Sequence, residues 1–471
     1  MPDAVVVGAG PNGLAAAIEL ARAGRSVLLC ERNETIGGGA RTAELTLPGY
    51  RHDVCSAVHP LAVGSPFLRA LPLADHGLEL LEPEVQAAHP LDGGRAAVLH
   101  RSLAETAAEL GPDGDAYDAL VRPFAEGWDE LAPTVLGAPR PPRHPLLAAR
   151  FARAGVRGVA GLATARFRSD AARALLGGMG AHSFRALHRA PTAGFALVLL
   201  ALGHAAGWPV ARGGSQAIAD AMAAHLRSLG GEIRTGFEVR SLGDLPAARA
   251  LLFDVTPRGL VAICGDALPG RYARALRRYR YGAGAFKVDY ALSEPVPWTA
   301  AAARRAGTVH LGGTLPELAA SEATVAAGGH PERPFVLVAQ QSLVDPGRAP
   351  VGRHTLWAYC HVPNGSRIDM TAAIERQIER FAPGFGDVVL ERAVRGPADL
   401  EAENPNYVGG DINGGAADLR QVLARPAARI TPYTTPNPRI FLCSSSTPPG
   451  GGVHGMCGYH GARAALRSAL R

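Results

Sequence analysis

The chain opens on an unbroken apolar run, Ala4-Val5-Val6-Val7, with no polar position facing either side. That is the pattern of a strand buried on both faces of a parallel sheet. Gly8-Ala9-Gly10-Pro11-Asn12-Gly13 follows, then the strong helix-forming stretch Leu14 to Ala23, which Gly24 stops. Ser26-Val27-Leu28-Leu29-Cys30 reads as a second apolar strand, ending on the carboxylate of Glu31. Strand, glycine-rich turn, helix and strand make a complete βαβ unit.

Each part of that unit has a physical task. Gly8 permits a tight turn, Gly10 lets backbone approach a pyrophosphate, and Gly13 allows close packing of helix on strand. The helix N-terminus presents free N–H groups and the positive end of its dipole to an anion. Glu31 stands eighteen residues after Gly13, where its carboxylate accepts hydrogen bonds from an adenosine ribose diol and repels a 2′-phosphate.

Further along, Gly213-Gly214-Ser215-Gln216-Ala217-Ile218 opens a helix with apolar residues at helical spacing through Leu226 and Leu229. Gly230-Gly231 and a strand around Phe237 to Val239 follow, and Leu251 to Val255 reads as a strand before Thr256-Pro257. Near the other end, Arg439 to Cys443 reads as a strand. It runs into the glycine-rich stretch Ser444 to Met456 and an Ala-rich helix through Gly461 to Leu470. A second helix N-terminus therefore faces something electron-rich. Residues 76–207 are rich in Ala and Arg and mostly helical in pattern.

The 471 residues correspond to about three structural units, enough to bury a core without a staple. The 48 basic residues against 42 acidic ones comprise Arg throughout except for one Lys, Lys287. No Arg run is interleaved with aromatics, so no nucleic-acid partner is expected. Six scattered cysteines form no C-x-x-C pair, and no His, Cys and carboxylate cluster has metal-ligand spacing, so no metal is expected. No charged leader precedes the Ala4 strand, which points to a cytoplasmic chain. The apolar run Phe195 to Trp208 is broken by Gly203 and His204 and falls short of the ~20 residues a bilayer span needs. From Arg140 to Arg173 eight Arg face one acid, Asp170. Such a stretch is either a solvated helical face or a peripheral contact with an anionic membrane.

After Glu31 comes Arg32-Asn33-Glu34-Thr35-Ile36-Gly37-Gly38-Gly39-Ala40-Arg41-Thr42. A glycine pair soon after the ribose acid lets the chain pass close to an extended dinucleotide. Here the sequence resembles the FAD-dependent phytoene desaturase and amine oxidase superfamily, whose hallmark is such a pair. In many members an Arg follows the pair directly; Gly39 stands there instead, leaving Arg41 as either a phosphate contact or a surface charge. Pro448 to Gly461 and Asn404 to Gly415 look most like the phytoene-dehydrogenase-related branch.

The resemblance implies an α/β fold: a Rossmann-like FAD-binding domain in three discontinuous segments with an inserted α+β substrate domain. The FAD segments are 1–75, 208–260 and 425–471; 76–207 is the helical part of the substrate domain and 261–424 its antiparallel-sheet part. The implied cofactor contacts in the first segment are Gly8, Gly10, Pro11, Asn12, Gly13, Glu31, Arg32, Gly37, Gly38, Gly39, Arg41 and Thr42. Val239, Ser446, Gly452, Val453, His454 and Met456 complete them, with the last helix turned toward the flavin pyrimidine edge. Many relatives carry Asp near Ser445 or Ser446; hydroxyls or backbone would serve here.

Lys287 lies in the alternating strand Gly284 to Leu292, followed by Pro295-Val296-Pro297-Trp298. Flavin amine oxidases resemble this pattern, and there the Lys holds a water near flavin N5. In an Arg-rich chain a single Lys marks a place where a planar guanidinium would not serve, or else a strand residue whose ammonium reaches solvent. His59, His454 and Tyr459 are further candidates for lining the cavity or moving a proton. Asp411 and Asn413 sit in a glycine-rich loop where turn chemistry is the default.

The implied reaction is hydride transfer from a small or lipophilic organic substrate to FAD, a desaturation or an alcohol or amine oxidation. Gly177-Gly178-Met179-Gly180 lacks a preceding strand and a following acid, so electrons are expected to pass to a quinone or oxygen rather than NAD(P). Three alternatives stand beside desaturation: a flavin amine oxidase, a redox-neutral FAD-dependent isomerase and a non-catalytic flavoprotein. The amine oxidase would need an aromatic cage, for which a 6% aromatic content offers no obvious pair.

Overall fold

Short apolar strands alternating with helices build a five-stranded parallel sheet in the computed structural model, which describes all 471 residues. The order is Ile440–Leu442, Ala250–Phe253, Ala4–Val7, Val27–Cys30, Glu232–Arg234. Val6 is flanked by Leu252 on one side and Leu29 on the other, and both neighbouring pairs are parallel. All four residues of Ala4–Val7 are buried, as a strand covered on both faces must be.

The first helix, Pro11–Arg22, starts on a proline at its first turn and ends before Gly24, whose φ of +72° only glycine adopts without strain. Helix Met456–Leu466 crosses it so closely that a Cβ on Gly458 would stand 1.8 Å from the carbonyl oxygen of Asn12. Arg463 reaches Glu19 across the same crossing at 3.4 Å. The two ends of the chain are thus packed into one layer.

The second sheet has seven strands, in the order Val389–Arg395, Gly284–Leu292, His354–Val362, Val336–Ala339, Ala306–Leu311, Val85–Leu91, Arg95–Leu99. The stretch read as helical from residue 76 therefore opens with a hairpin. Gln86, His89 and Pro90 conceal it, because this strand is buried at every position and shows no alternation. Val85–Leu91 runs parallel to Ala306–Leu311, so the sheet is mixed rather than antiparallel. The chain between them, which takes in the helical region and two strands of the parallel sheet, is more than long enough for the crossover that a parallel pair requires.

Two other expectations shift. The strand after Gly231 is Glu232–Arg234; Gly236, at φ +61°, then turns the chain, and Phe237 to Val239 forms an irregular loop. Gly177 to Gly180 lie inside the buried helix Asp170–Ala181. The basic stretch folds mainly as Pro145–Gly155 and Val159–Arg166, with Arg143, Arg150, Arg153 and Arg157 in solvent. No helix is long and apolar enough to cross a membrane.

Asp53 pins the two halves together. Its buried carboxylate accepts from Ser215 N (2.8 Å), Ser215 Oγ (2.9 Å) and Thr42 Oγ1 (3.0 Å) on the parallel-sheet side. From the side of the seven-stranded sheet come Gln341 Nε2 at 3.2 Å and Arg348 Nη2 at 2.7 Å. The Arg348 guanidinium holds this carboxyl below the usual range despite its burial, so the junction keeps a buried ion pair.

Candidate dinucleotide and substrate site

Strand Ala4–Val7 ends at Gly8, whose φ is +100°. A Cβ on Gly13 would lie 1.8 Å from the Gly8 carbonyl oxygen, so the third glycine is demanded by helix-on-strand contact. A Cβ on Gly38, at φ +54°, would lie 3.0 Å from Gly10 Cα. The second glycine cluster therefore presses against the first. Gly37 N donates to the Ala9 carbonyl at 2.8 Å and holds the two turns together.

Glu31 is buried, and both of its oxygens point at this junction. Oε2 accepts from Ala9 N at 2.8 Å and Oε1 from Asn33 N at 2.9 Å. Each carboxylate oxygen has two lone pairs, so acceptor capacity remains for a ligand diol. Asn12 is also buried: its Nδ2 donates to Ser445 Oγ at 3.3 Å, while its Oδ1 has no partner in the chain.

A cavity of about 750 Å³ runs from this rim to the seven-stranded sheet. Gly8, Gly10, Pro11, Asn12, Glu31, Arg32, Gly38, Gly39 and Val239 line it, and Ser446, Gly452 and Val453 close it from the C-terminal turn. Ser446 Oγ is committed to the Gly414 carbonyl at 2.8 Å, which draws the loop from Asn404 to Gly415 over the cavity. Within that loop Asp411 accepts from Gly282 N (2.6 Å) and Asn413 N (2.9 Å), the turn chemistry its setting suggested.

The remaining expected contacts are placed elsewhere. Arg41 donates to the Gly38 carbonyl and pairs with Glu403 at 2.9 Å, outside the lining. Thr42 is spent on Asp53. Gly13, Gly37, His454 and Met456 are not among the residues that line the cavity. His454 accepts from Met456 N on Nδ1 at 3.0 Å, which leaves Nε2 to donate to the Gly450 carbonyl at 3.2 Å. Burial pushes it down to about 4, so it is a neutral cap with no nitrogen free for proton transfer.

His59 is buried at the start of a short helix, with both ring nitrogens unpartnered and its pKa pushed down by burial to about 4. Tyr459 packs on Phe67 with ring centroids 5.4 Å apart, away from the cavity.

The deep end of the cavity is aromatic. Trp357 and Tyr359 occupy alternate positions of strand His354–Val362 and both line it, with Leu337, Val58 and His182. Their rings meet edge to face, 5.1 Å apart at 89°. Composition gave no sign of this pair, since alternate aromatics on a strand are as common in a packed core. Phe184 stacks on Tyr359 at 5.7 Å and holds a φ of +55°, costly for an aromatic residue.

Lys287 lies directly behind. It is 2% exposed, so its ammonium does not reach solvent. Its Nζ contacts Asp289 and sits 5.6 Å from the Trp357 ring centroid. Burial pushes the Lys287 ammonium down and the Asp289 carboxyl up, and their contact resists both shifts. Lys287 supports the cavity wall through Trp357 and is not itself in the lining.

Sequence reading missed Asp254, His182, Trp357, Tyr359 and Tyr407, all of which line the cavity. For Asp254 a signal was present: like Glu31, it is a carboxylate that ends an otherwise apolar strand.

Residues 6–70 match the model of the NAD(P)-binding Rossmann-like domain. The chain is 26% identical to mouse (Mus musculus) pyridine nucleotide-disulfide oxidoreductase domain-containing protein 2, across 99% of this chain and 93% of that one. It is 34% identical to hydroxyneurosporene desaturase of Cereibacter sphaeroides over 30% of this chain and 32% of the other. Putrescine oxidase, solved with putrescine bound, shares the fold with a TM-score of 0.62 at 19% identity, covering 98% of both chains. Over those stretches the chain is similar to oxidoreductases of the phytoene desaturase-related kind. Its relatives imply a flavin or nucleotide cofactor on the Rossmann-like domain.

The residues present fit such a group. The glycine turns put no side chain of their own over the helix N-terminus, and Glu31 keeps lone pairs for a diol. The cavity volume lies within the range of small-molecule and cofactor sites, about 300–1,000 Å³.

Proposed function

We propose that this chain is an FAD-dependent dehydrogenase or desaturase acting on a neutral, lipophilic organic substrate. The observation that carries this reading is one continuous cavity that joins the Glu31 and Gly10 cradle to an apolar, aromatic end. The carboxylates in its lining, Glu31, Glu238 and Asp254, belong to the nucleotide end, so nothing acidic awaits a cationic substrate beside Trp357 and Tyr359.

FAD bound there supplies a hydride acceptor at flavin N5. Glu31 would hold the adenosine ribose, the turn at Gly8, Gly10 and Asn12 would hold the diphosphate, and Ser446, Gly452 and Val453 would cover the ring end. Trp357, Tyr359 and Leu337 orient the substrate and exclude water, which strengthens each electrostatic contact inside. His182 is half-buried and desolvation pushes it down to about 3, so it is a neutral acceptor or donor at the substrate end. Electrons would leave to a small acceptor, a quinone or oxygen, since no second dinucleotide turn is built.

The Trp357–Tyr359 pair with Lys287 behind it favours flavin amine oxidation as the second reading. The absorption spectrum of the purified protein, then anaerobic titration with alkenes, alcohols and amines, separates the two. Bleaching of a flavin spectrum by an alkene or alcohol, with a product two hydrogens lighter, is expected. Bleaching by amines alone would replace this reading with the second, and a chain that takes up no flavin would end both.

A further inference from the structure

Strands Ala4–Val7, Val27–Cys30 and Ala250–Phe253 end along one rim, and the next residue on each is Gly8, Glu31 and Asp254. The rim therefore carries two carboxylates, and only Glu31 has a part in the ribose reading. Asp254 Oδ2 accepts from Gly13 N at 2.8 Å, and a Cβ on Gly10 would lie 3.0 Å from the same oxygen. The surface that Asp254 exposes faces the cavity.

Gly13 is in the first turn of the helix, and the capping residue Gly10 has no side chain to accept its N–H. Asp254 does so from another strand. A carboxylate thus occupies the helix N-terminus, where a diphosphate must also draw its stabilisation. Two anions compete for one positive end.

The groups around Asp254 do not neutralise it. Glu31 faces it from the strand on the far side of Ala4–Val7 and repels it. Cys443 faces it from strand Ile440–Leu442's end and Cys457 from the last helix, both with thiols that burial pushes up and keeps neutral. Arg32, Arg240 and Arg258 line the same cavity, but none makes an ion pair with Asp254.

We propose that Asp254 is part of the diphosphate site and binds it as the neutral acid, so that docking draws one proton from solvent wherever Asp254 is ionised. The proton goes to the carboxyl, whose other oxygen keeps the Gly13 N–H. Burial, with Glu31 adding to it, already holds this carboxyl up at about 7, so both forms are populated near neutrality in the free protein. The inference rests on the dinucleotide reading of the cavity.

The test is binding of FAD, and separately of ADP, to full-length protein stripped of flavin, between about pH 6 and about pH 9. Wild-type affinity is expected to fall about tenfold per pH unit above about 7. Calorimetry in two buffers of different ionisation enthalpy should show close to one proton taken up near the alkaline end. Asp254→Asn keeps an acceptor for Gly13 N–H; its affinity should be flat with pH and tighter than wild type at the alkaline end, with no proton uptake. Asp254→Ser, which also cannot ionise, should behave the same way if the amide perturbs packing. A wild-type affinity independent of pH, or an equal slope in both variants, would overturn the proposal while leaving the dinucleotide reading standing. Failure of wild type to bind FAD or ADP at any pH would remove that reading, and this one with it.

Discussion

Asn12 donates from Nδ2 to Ser445 Oγ at 3.3 Å, joining the first glycine turn to the last across 433 residues of chain. This contact sits at the head of the helix crossing made possible by Gly458. Asn12→Ala removes the link and the unpartnered Oδ1 together. A net hydrogen bond contributes about 1 kcal/mol, so a small stability loss in urea unfolding is expected. Flavin affinity, read by fluorescence, should fall about tenfold, because Asn12 lines the cavity at the glycine-turn cradle and its link to Ser445 holds that cradle in place. Unchanged affinity would assign Asn12 to holding the helices alone.

Gly10 and Gly13 separate binding from folding. A Cβ at Gly10 meets a side-chain oxygen at 3.0 Å and backbone no nearer than an ordinary 3.9 Å, whereas one at Gly13 meets backbone at 1.8 Å. Gly10→Ala is expected to melt within about 1 kcal/mol of wild type yet lose flavin. Gly13→Ala should lose about 3 kcal/mol or more, since the helix must lift off the strand. Thermal melts and bound-flavin ratios check both. Equal damage from the two substitutions would contradict the assignment.

Lys287 and Asp289 form a buried pair beneath Trp357. Lys287→Met strands a buried carboxylate, and about 3–5 kcal/mol of stability should go with it. Replacing Asp289 by Leu in the same chain should recover most of that loss. Flavin reduction and reoxidation, followed separately by stopped flow, should slow in the single variant and stay slow in the double one, because both lack the cation that steadies Trp357. Full-speed half-reactions in the double variant would make the pair a matter of stability only.

Stability should fall with acid below neutral. His59, His89 and His454 are buried and held at about 4, against an ordinary 6.5, chiefly by desolvation. The unfolded chain takes up these protons first. Their contribution is complete above pH 6.5 and is lost as pH falls toward 4, at about 1.4 kcal/mol per pH unit for each histidine. Asp254 works the other way: its raised carboxyl favours the folded state at acid pH and loses that advantage as pH rises toward 7. Three histidines outweigh one acid, so urea midpoints should drop between about pH 7 and about pH 5. A flat or rising profile would show that these imidazoles reach water.

Local pattern carried the nucleotide half. Ala4 to Glu31 is contiguous, and each requirement (apolar strand, glycine turn, helix, terminal acid) is met by neighbours along the chain, so backbone sterics and periodicity were enough to read it. The hairpin at Val85–Leu91 escaped because burial on both faces erases alternation, and Phe237 to Val239 was misread because Gly236 turns the chain before it.

What the amino-acid order determined by itself was the glycine-turn cradle and its ribose acid, since these need only residues within one βαβ unit. Tertiary structure alone decided that Asp254 reaches Gly13, that Asp53 gathers donors from both domains, and that Trp357 and Tyr359 look into the cavity rather than a core. Those facts depend on which strands become neighbours. Strand order is set by the burial of whole faces against one another, a property of the folded chain and not of any stretch of it.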